Sequence, residues 1–237
     1  MKRTKENPAS PWLWREDWAE GRIHFSESGK VLYPFVLGLA LICVSLALYW
    51  YFSDTIQSSS KAALAIIAAV PVFGAIAILV GIVRLLRLRK YGRSTLALVA
   101  NPGVIGGWLR VELHSKLQPS PSEKVTAKLK CMHRSKRELG SAGEDISMKW
   151  SSEQVLESAL FTLNHDRTST TSINFHIPYD CTETSQSQAG FYAGQPNGHY
   201  WMLEVKGNVH GTDYCAEFMV PVFKTVDSAR EIEPAEY

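Results

Sequence analysis

Charge is missing from two stretches of this 237-residue chain. Val31–Phe52 and Ala62–Val83 each run 22 residues without Asp, Glu, Lys, Arg or His. About 20 residues at a rise of 1.5 Å cross the hydrocarbon of a bilayer, so both runs read as membrane spans. That excludes a soluble one-domain enzyme, a disordered chain and a disulfide-rich module. Ionisable groups inside spans mark proton relays and ion paths, and their absence speaks against a transporter or pump. Cysteine is scarce: Cys43, Cys131, Cys181 and Cys215, with no CxxC spacing. There is no G-x-S-x-G. The glycine-rich NPGVIGGW (Asn101–Trp108) is followed by no GK[ST], so it reads as a turn rather than a phosphate loop. Glu144-Asp145 reads as an ordinary loop pair. With no clustered acid, base or nucleophile in view, neither an enzyme nor a cofactor is expected.

What charge there is has a pattern. Arg15, Arg22 and Lys30 precede the first span, Lys61 alone accompanies the connection, and Arg84, Arg87, Arg89, Lys90 and Arg93 follow the second. The positive-inside rule then places both termini in the cytoplasm and the hairpin loop outside. Tyr33 at one end of the first span and Tyr49, Trp50 and Tyr51 at the other read as interfacial anchors. Arg84, Arg87, Arg89 and Lys90 read as the cytoplasmic boundary of the second. A signal peptide is excluded by the 30-residue leader it would need and by the absence of a cleavage site. Pro71 predicts a kink in the second span. Small residues at Ala65/Ala69 and Ala77/Gly81 allow close helix approach, first of all within the hairpin.

Residues 1–30 form an N-terminal segment. Ser10-Pro11 reads as an N-cap and first helical residue. Trp14, Trp18 and Arg22 at four-residue spacing suggest a short amphipathic helix, lying at the headgroups or packed on the following domain.

After the hairpin (31–93, spans 31–52 and 62–83) the period changes to two. Val125–Cys131, Trp201–Val205 and Tyr214–Val222 alternate apolar with polar residues. Further strands are expected at Thr95–Val99, Trp108–Leu113, Ile146–Trp150 and Ser172–Ile177, with turn-rich stretches between them. The longest helical period is Ser152–Leu163. About seven short strands imply an all-β domain over 94–225, an antiparallel immunoglobulin/arrestin-like β-sandwich. An acidic tail spans 226–237. Residues 94–237 hold 13 basic and 17 acidic groups, which speaks against nucleic acid. The basic run Lys128–Arg137 reads as a solvated hairpin end before it reads as a lipid-facing patch.

One constellation has the residue types of a metal site. His176-x4-Cys181 and His210-x4-Cys215 share a spacing, and two His with two Cys suit tetrahedral zinc. The spacing exceeds that of a zinc knuckle, and alternation puts Cys215 opposite Tyr214 and Phe218. Scattered thiols and loop histidines are the better reading. The candidate interaction surfaces are the turn carrying Gly103, Gly106, Gly107 and Trp108, and the Ala189–Tyr200 loop carrying Phe191, Tyr192 and Tyr200.

Several stretches carry a resemblance. They are RLLRLRKYGRSTLAL…NPGVIGGWLRVEL, W-x-L-x-V-x-G (Trp201–Gly207), G-x-D-Y-x-A-x-F-x-V-P-V-F (Gly211–Phe223) and W-R-E-D-W-A-x-G-x-I (Trp14–Ile23). Together they resemble a family of bacterial inner-membrane proteins, a domain of unknown function with a transmembrane pair before a β-rich domain. The resemblance implies that architecture and brings no catalytic residues. The stretch Tyr179–Asn197 departs from it.

The expected role is a membrane-anchored interaction or scaffold module at a bacterial inner membrane. Its partners would be membrane lipid and a protein, met through a sheet edge or loops. The alternative is an accessory subunit held in a larger membrane complex through its helices.

Overall fold

The computed structural model describes residues 10–25, 28–51, 61–136, 144–185, 198–209 and 212–229. It divides into two units, Ser26–Gly92 and the combination of Met1–Phe25 with Arg93–Tyr237.

The first unit is a pair of helices, α1 (Ser28–Tyr51) and α2 (Lys61–Tyr91). Both contain stretches long and apolar enough to cross a membrane, Leu32–Tyr51 and Ala69–Tyr91. Only 17% and 11% of those windows are buried, where a soluble core helix would be mostly covered. The buried stripe is narrow. Pro34, Gly38 and Ser45 on α1 lie in it with Gly74 and Gly81 on α2. A Cβ on Gly38 would stand 2.6 Å from the Gly74 carbonyl oxygen, and one on Gly81 would stand 2.9 Å from the Phe35 ring. The missing side chains are what let the two backbones meet. Gly81 therefore serves the hairpin itself; the side chain of Ala65 lies outside the described ones. The helix continues unbroken through Pro71 and runs past Val83 to Tyr91. It stops at Gly92, whose φ of 65° and N–H to the Leu88 carbonyl (2.8 Å) form a left-handed cap.

The second unit is built from eleven described strands. These are β1 (Arg22–Phe25), β2 (Ser94–Leu98), β3 (Gly103–Val104), β4 (Gly107–Ser115), β5 (Val125–Lys136), β6 (Glu144–Leu156), β7 (Thr162–Leu163), β8 (Ser169–Ile177), β9 (Gly198–Gly207), β10 (Tyr214–Val220) and β11 (Val222–Phe223). One antiparallel sheet has the order β1-β2-β4-β8-β7, another β10-β9-β5-β6, and β11 pairs with β3 in parallel. Alternation decides what is buried. Leu96, Leu109, Val111, Leu113, Ile173 and Ile177 line one face of the first sheet; Val125, Leu129, Trp201, Leu203 and Phe218 line one face of the second; all are essentially inaccessible. Each such side chain contributes about 1.5–3 kcal/mol by leaving water. Two contacts link the sheets: Tyr214 donates to Ser94 Oγ (2.9 Å), and Phe25 and Phe218 stack edge to face (6.0 Å).

One expectation needs revision, and two further stretches gain definition. The N-terminal segment is not a separate amphipathic helix: Pro11–Leu13 is a 3-10 turn, Glu16–Ala19 a single helical turn, and β1 joins the first sheet beside β2. The sequence there is too short for a stable isolated helix and gains more from burying Trp18. Ser152–Leu163 is not helical. Ser152–Leu156 continues β6, antiparallel to β5, and Ser158–Leu160 is a 3-10 turn. Strand pairing overrides the local period there. The start of the acidic tail is a defined turn, with Ser228 N–H on the Thr225 carbonyl (3.1 Å); residues 230–237 lie outside the described residues.

Candidate functional site

Two features of the β unit offer themselves: an edge and a groove.

The two ends of the four-stranded sheet differ. At β10 the N-terminal segment caps the edge at Met219. Trp18, wholly buried, donates its indole N–H to the Met219 carbonyl (2.9 Å) and packs edge to face on Phe223 (6.4 Å). Arg15 lies over the Trp18 ring (4.5 Å), donates to Met219 Sδ (3.1 Å) and pairs with Asp17 (2.5 Å). At the other end stands β6, 13 residues long, whose one strand neighbour among the described residues is β5. Its solvent side shows Ile146, Met148 and Val155, each about half exposed at 47%, 54% and 53%. Lys149 is an extra residue in the ladder, since Cys131 faces Trp150 while Met132 faces Met148. Unpaired edge groups are a template for another strand, which is why proteins cover or charge them.

Next to β5 the outer face of this sheet is electrostatically settled. Glu204, almost buried, accepts from Lys130 (2.6 Å) and Lys206 (2.8 Å), and Lys128 pairs with Glu153 (3.3 Å). Burial alone would raise the Glu204 pKa; the hydrogen bonds and charges of the two lysines outweigh it and hold the carboxyl below its ordinary range. Lys206 is raised in turn, chiefly by its bond to Glu204. Much of the basic run Lys128–Arg137 is thus committed to neighbouring strands.

The groove, about 1120 Å³, lies where β3 and β11 meet the N-terminal turn. Pro11, Trp12, Phe223 and the cis Asn101-Pro102 peptide give it aromatic and proline walls. Its polar lining is occupied with backbone. Thr184 N–H reaches the Val222 carbonyl (2.8 Å), Glu183 accepts from Lys224 N–H (3.1 Å), and Asn101 Nδ2 holds the Trp18 carbonyl (2.5 Å).

The residues singled out from sequence fall as follows. Gly103 belongs to β3. Gly106 has φ 72°, and a Cβ there would stand 2.2 Å from the Ala229 carbonyl; one on Gly107 would stand 3.2 Å from Val104. These glycines make a close-packed corner rather than a display loop. Trp108 does face solvent, 47% exposed, with its ring on His176 (5.2 Å). Tyr200 is 4% exposed, with Arg134 over its ring (5.5 Å). Phe191 and Tyr192 lie outside the described residues. Of the interfacial residues, Trp18 is a core residue of the β unit instead of a headgroup anchor, because its indole finds an apolar slot and an acceptor there. Trp14 is half-buried. Tyr33, Tyr49, Trp50 and Tyr51 project outward from α1, while Arg84, Arg87, Arg89 and Lys90 occupy the last turns of α2.

His176 sits on β8 and Cys215 on β10, in different sheets; His210 lies outside the described residues. Among the described residues neither His176 nor Cys181 joins a trio of potential ligands. Cys215 groups instead with Glu204 and Glu217, within 4.8 Å, where Glu204 already serves two lysines. Cys131 points inward with its thiol toward the Thr182 carbonyl (3.9 Å); burial, with Cys181 adding in the same sense, pushes it up to about 11. His199, ring to ring with His133 (4.5 Å), is lowered by burial first and then by His133 and Lys149.

Sequence reasoning missed the β6 edge and the groove. The apolar positions Ile146, Met148 and Val155 were visible, but the apparent helical period beyond Ser152 hid the strand's length.

No family model matches the sequence, and no curated protein matches it. Among solved structures, the sporulation control protein Spo0M of Bacillus subtilis aligns with a TM-score of 0.33 and 8% identity. The alignment covers 56% of this chain and 49% of that structure, about half the length of Spo0M.

Proposed function

We propose that this protein is a membrane-anchored interaction module whose β unit takes up an extended segment of a partner protein along β6. The two sheets then act as an antiparallel β-sandwich of immunoglobulin/arrestin type. The helix pair crosses a bacterial inner membrane, with both termini and the β unit on the cytoplasmic side. The cluster Arg84, Arg87, Arg89 and Lys90 supports that orientation. The observation that carries the reading is the asymmetry of the four-stranded sheet. Its β10 edge is capped at Met219 by Trp18 and Arg15, whereas β6 offers 13 residues with Ile146, Met148 and Val155 outward. Strand addition uses such an edge: main-chain bonds give affinity, and alternate side chains give selectivity.

The accessory-subunit reading keeps one supporting observation, the apolar surface that α1 and α2 leave uncovered outside their shared stripe. The test is purification in mild detergent from the native host, comparing wild type with Met148→Lys/Val155→Lys and with an unrelated hairpin replacing 31–83. Strand addition predicts a stoichiometric partner lost with the lysines and kept with the foreign hairpin. Loss only with the foreign hairpin supports the subunit reading.

A further inference from the structure

We propose that the solvent face of the five-stranded sheet docks on anionic phospholipid headgroups. Outward residues alternate along each strand, and the register lines them up across the sheet. His24 stands beside Thr95, Thr95 beside His114, and His114 beside Thr170. The imidazoles are held by threonine hydroxyls, His24 on Thr95 (3.0 Å) and His114 on Thr170 (2.9 Å). A second set of pairs places Arg22 beside Ala97, Ala97 beside Glu112, Arg110 beside Asn174, and Trp108 beside His176.

The charge of this face is one-sided. Arg22 and Arg110 are exposed and pair with no carboxylate among the described residues, as is Arg93 just before β2. Glu112 is the carboxylate of the face, and it lies 3.9 Å from His114. The other sheet, by contrast, neutralises its lysines against Glu204 and Glu153. Arginines that pair with no described carboxylate, imidazoles that can donate, and exposed Trp108 and Val99 beside them match the chemistry of an acidic headgroup layer.

Charge selects the bilayer as the occupant. Among the described residues the face carries exposed Arg22 and Arg110, with Arg93 beside them, against Glu112, so an anionic layer is its complement. In the sequence the strands join the apolar helices through short connections, three positions from Phe25 to the start of α1 and three from the end of α2 to Ser94. The inference stands apart from the β6 reading, since it concerns the other sheet and needs no partner protein.

The test uses the full-length protein in nanodiscs made either of phosphatidylcholine alone or with added phosphatidylglycerol, each carrying a dansyl-headgroup lipid. Energy transfer from Trp108 is taken as the difference between wild type and Trp108→Phe. The proposal predicts transfer that rises with phosphatidylglycerol, falls at high salt, and weakens as Arg22→Gln/Arg110→Gln lowers docking about twenty-fold. Circular dichroism of the arginine variant verifies its fold, and Glu112→Gln, which removes the acidic group, should strengthen the transfer. Equal transfer in both lipids, indifferent to salt and to all three substitutions, overturns the proposal.

Discussion

The Trp18 indole nitrogen lies 2.9 Å from the carbonyl oxygen of Met219, a residue 201 positions away. The bond fastens the N-terminal segment across the β10 edge, before the chain enters α1. The β unit is therefore assembled from both sides of the helix pair, with β1 contributed by residues that precede it and β2 by residues that follow. Trp18→Ala removes a fully buried indole and leaves a cavity, so it should destabilise the β unit by about 3–5 kcal/mol. Trp18→Phe keeps most of the volume but orphans the Met219 carbonyl, at a cost of about 1–3 kcal/mol. Denaturant unfolding in detergent measures both. A headgroup anchor at this position would leave the unfolding midpoint where it is.

Glu204 supplies a pH test. Its folded-state pKa lies below the unfolded value, so its contribution is fully present above the ordinary carboxylate range and is lost as pH falls through the folded value. Wild type should therefore lose stability on acidification below about pH 4.5, the range in which the unfolded chain takes up the proton first. Glu204→Gln should be less stable at neutral pH by about 1.5–3 kcal/mol, the worth of hydrogen bonds to a charged group, and flatter with pH in the acid window. Parallel profiles for the two proteins would contradict the pairing with Lys130 and Lys206.

The helix pair is tested at Gly38. A side chain there meets the Gly74 backbone, which cannot rotate away as a side-chain tip would. Gly38→Val should separate α1 from α2 and lower the thermal midpoint of the helical signal in detergent. Ala40→Val, on the exposed side of α1, should not.

Cys131 should be chemically quiet. Its thiol is pushed up to about 11, so little thiolate exists at mildly alkaline pH, and the side chain is 1% exposed. Iodoacetamide followed by peptide mass spectrometry should find Cys131 unmodified in the folded protein and modified in denaturant. Modification at equal rates would place the thiol outside the core.

The sequence disclosed its organisation wherever one physical signal dominated. Uncharged runs at Val31–Phe52 and Ala62–Val83 mark α1 and α2 because apolar stretches of that length suit helices long enough to cross a membrane. Alternation at Val125–Cys131, Trp201–Val205 and Tyr214–Val220 marks strands because one face of each is buried. Where two signals compete, the local one misleads. Trp14 and Trp18 share a helical spacing, yet Trp18 is claimed by a pocket made of Met219 and Phe223, some 200 residues further on. Ser152–Leu156 has a helical period but is held by its pairing with Val125–Leu129. The candidate edge depends on strand order, which no local pattern encodes: nothing in Glu144–Leu156 itself says that β6 ends a sheet. The Gly103–Trp108 turn was visible as a turn. That Gly106 must admit the Ala229 carbonyl was not, because the two meet only in the fold.

The most direct measurement of the central claim is photo-crosslinking in native membranes. A photoreactive residue is placed in turn at Met148 and Val155 on β6, and at Met219 on β10, which Trp18 and Arg15 hold, as the capped-edge control. The account predicts a discrete protein adduct from the β6 positions and none from Met219. Adducts of equal yield from all three positions, or from Met219 alone, would contradict it.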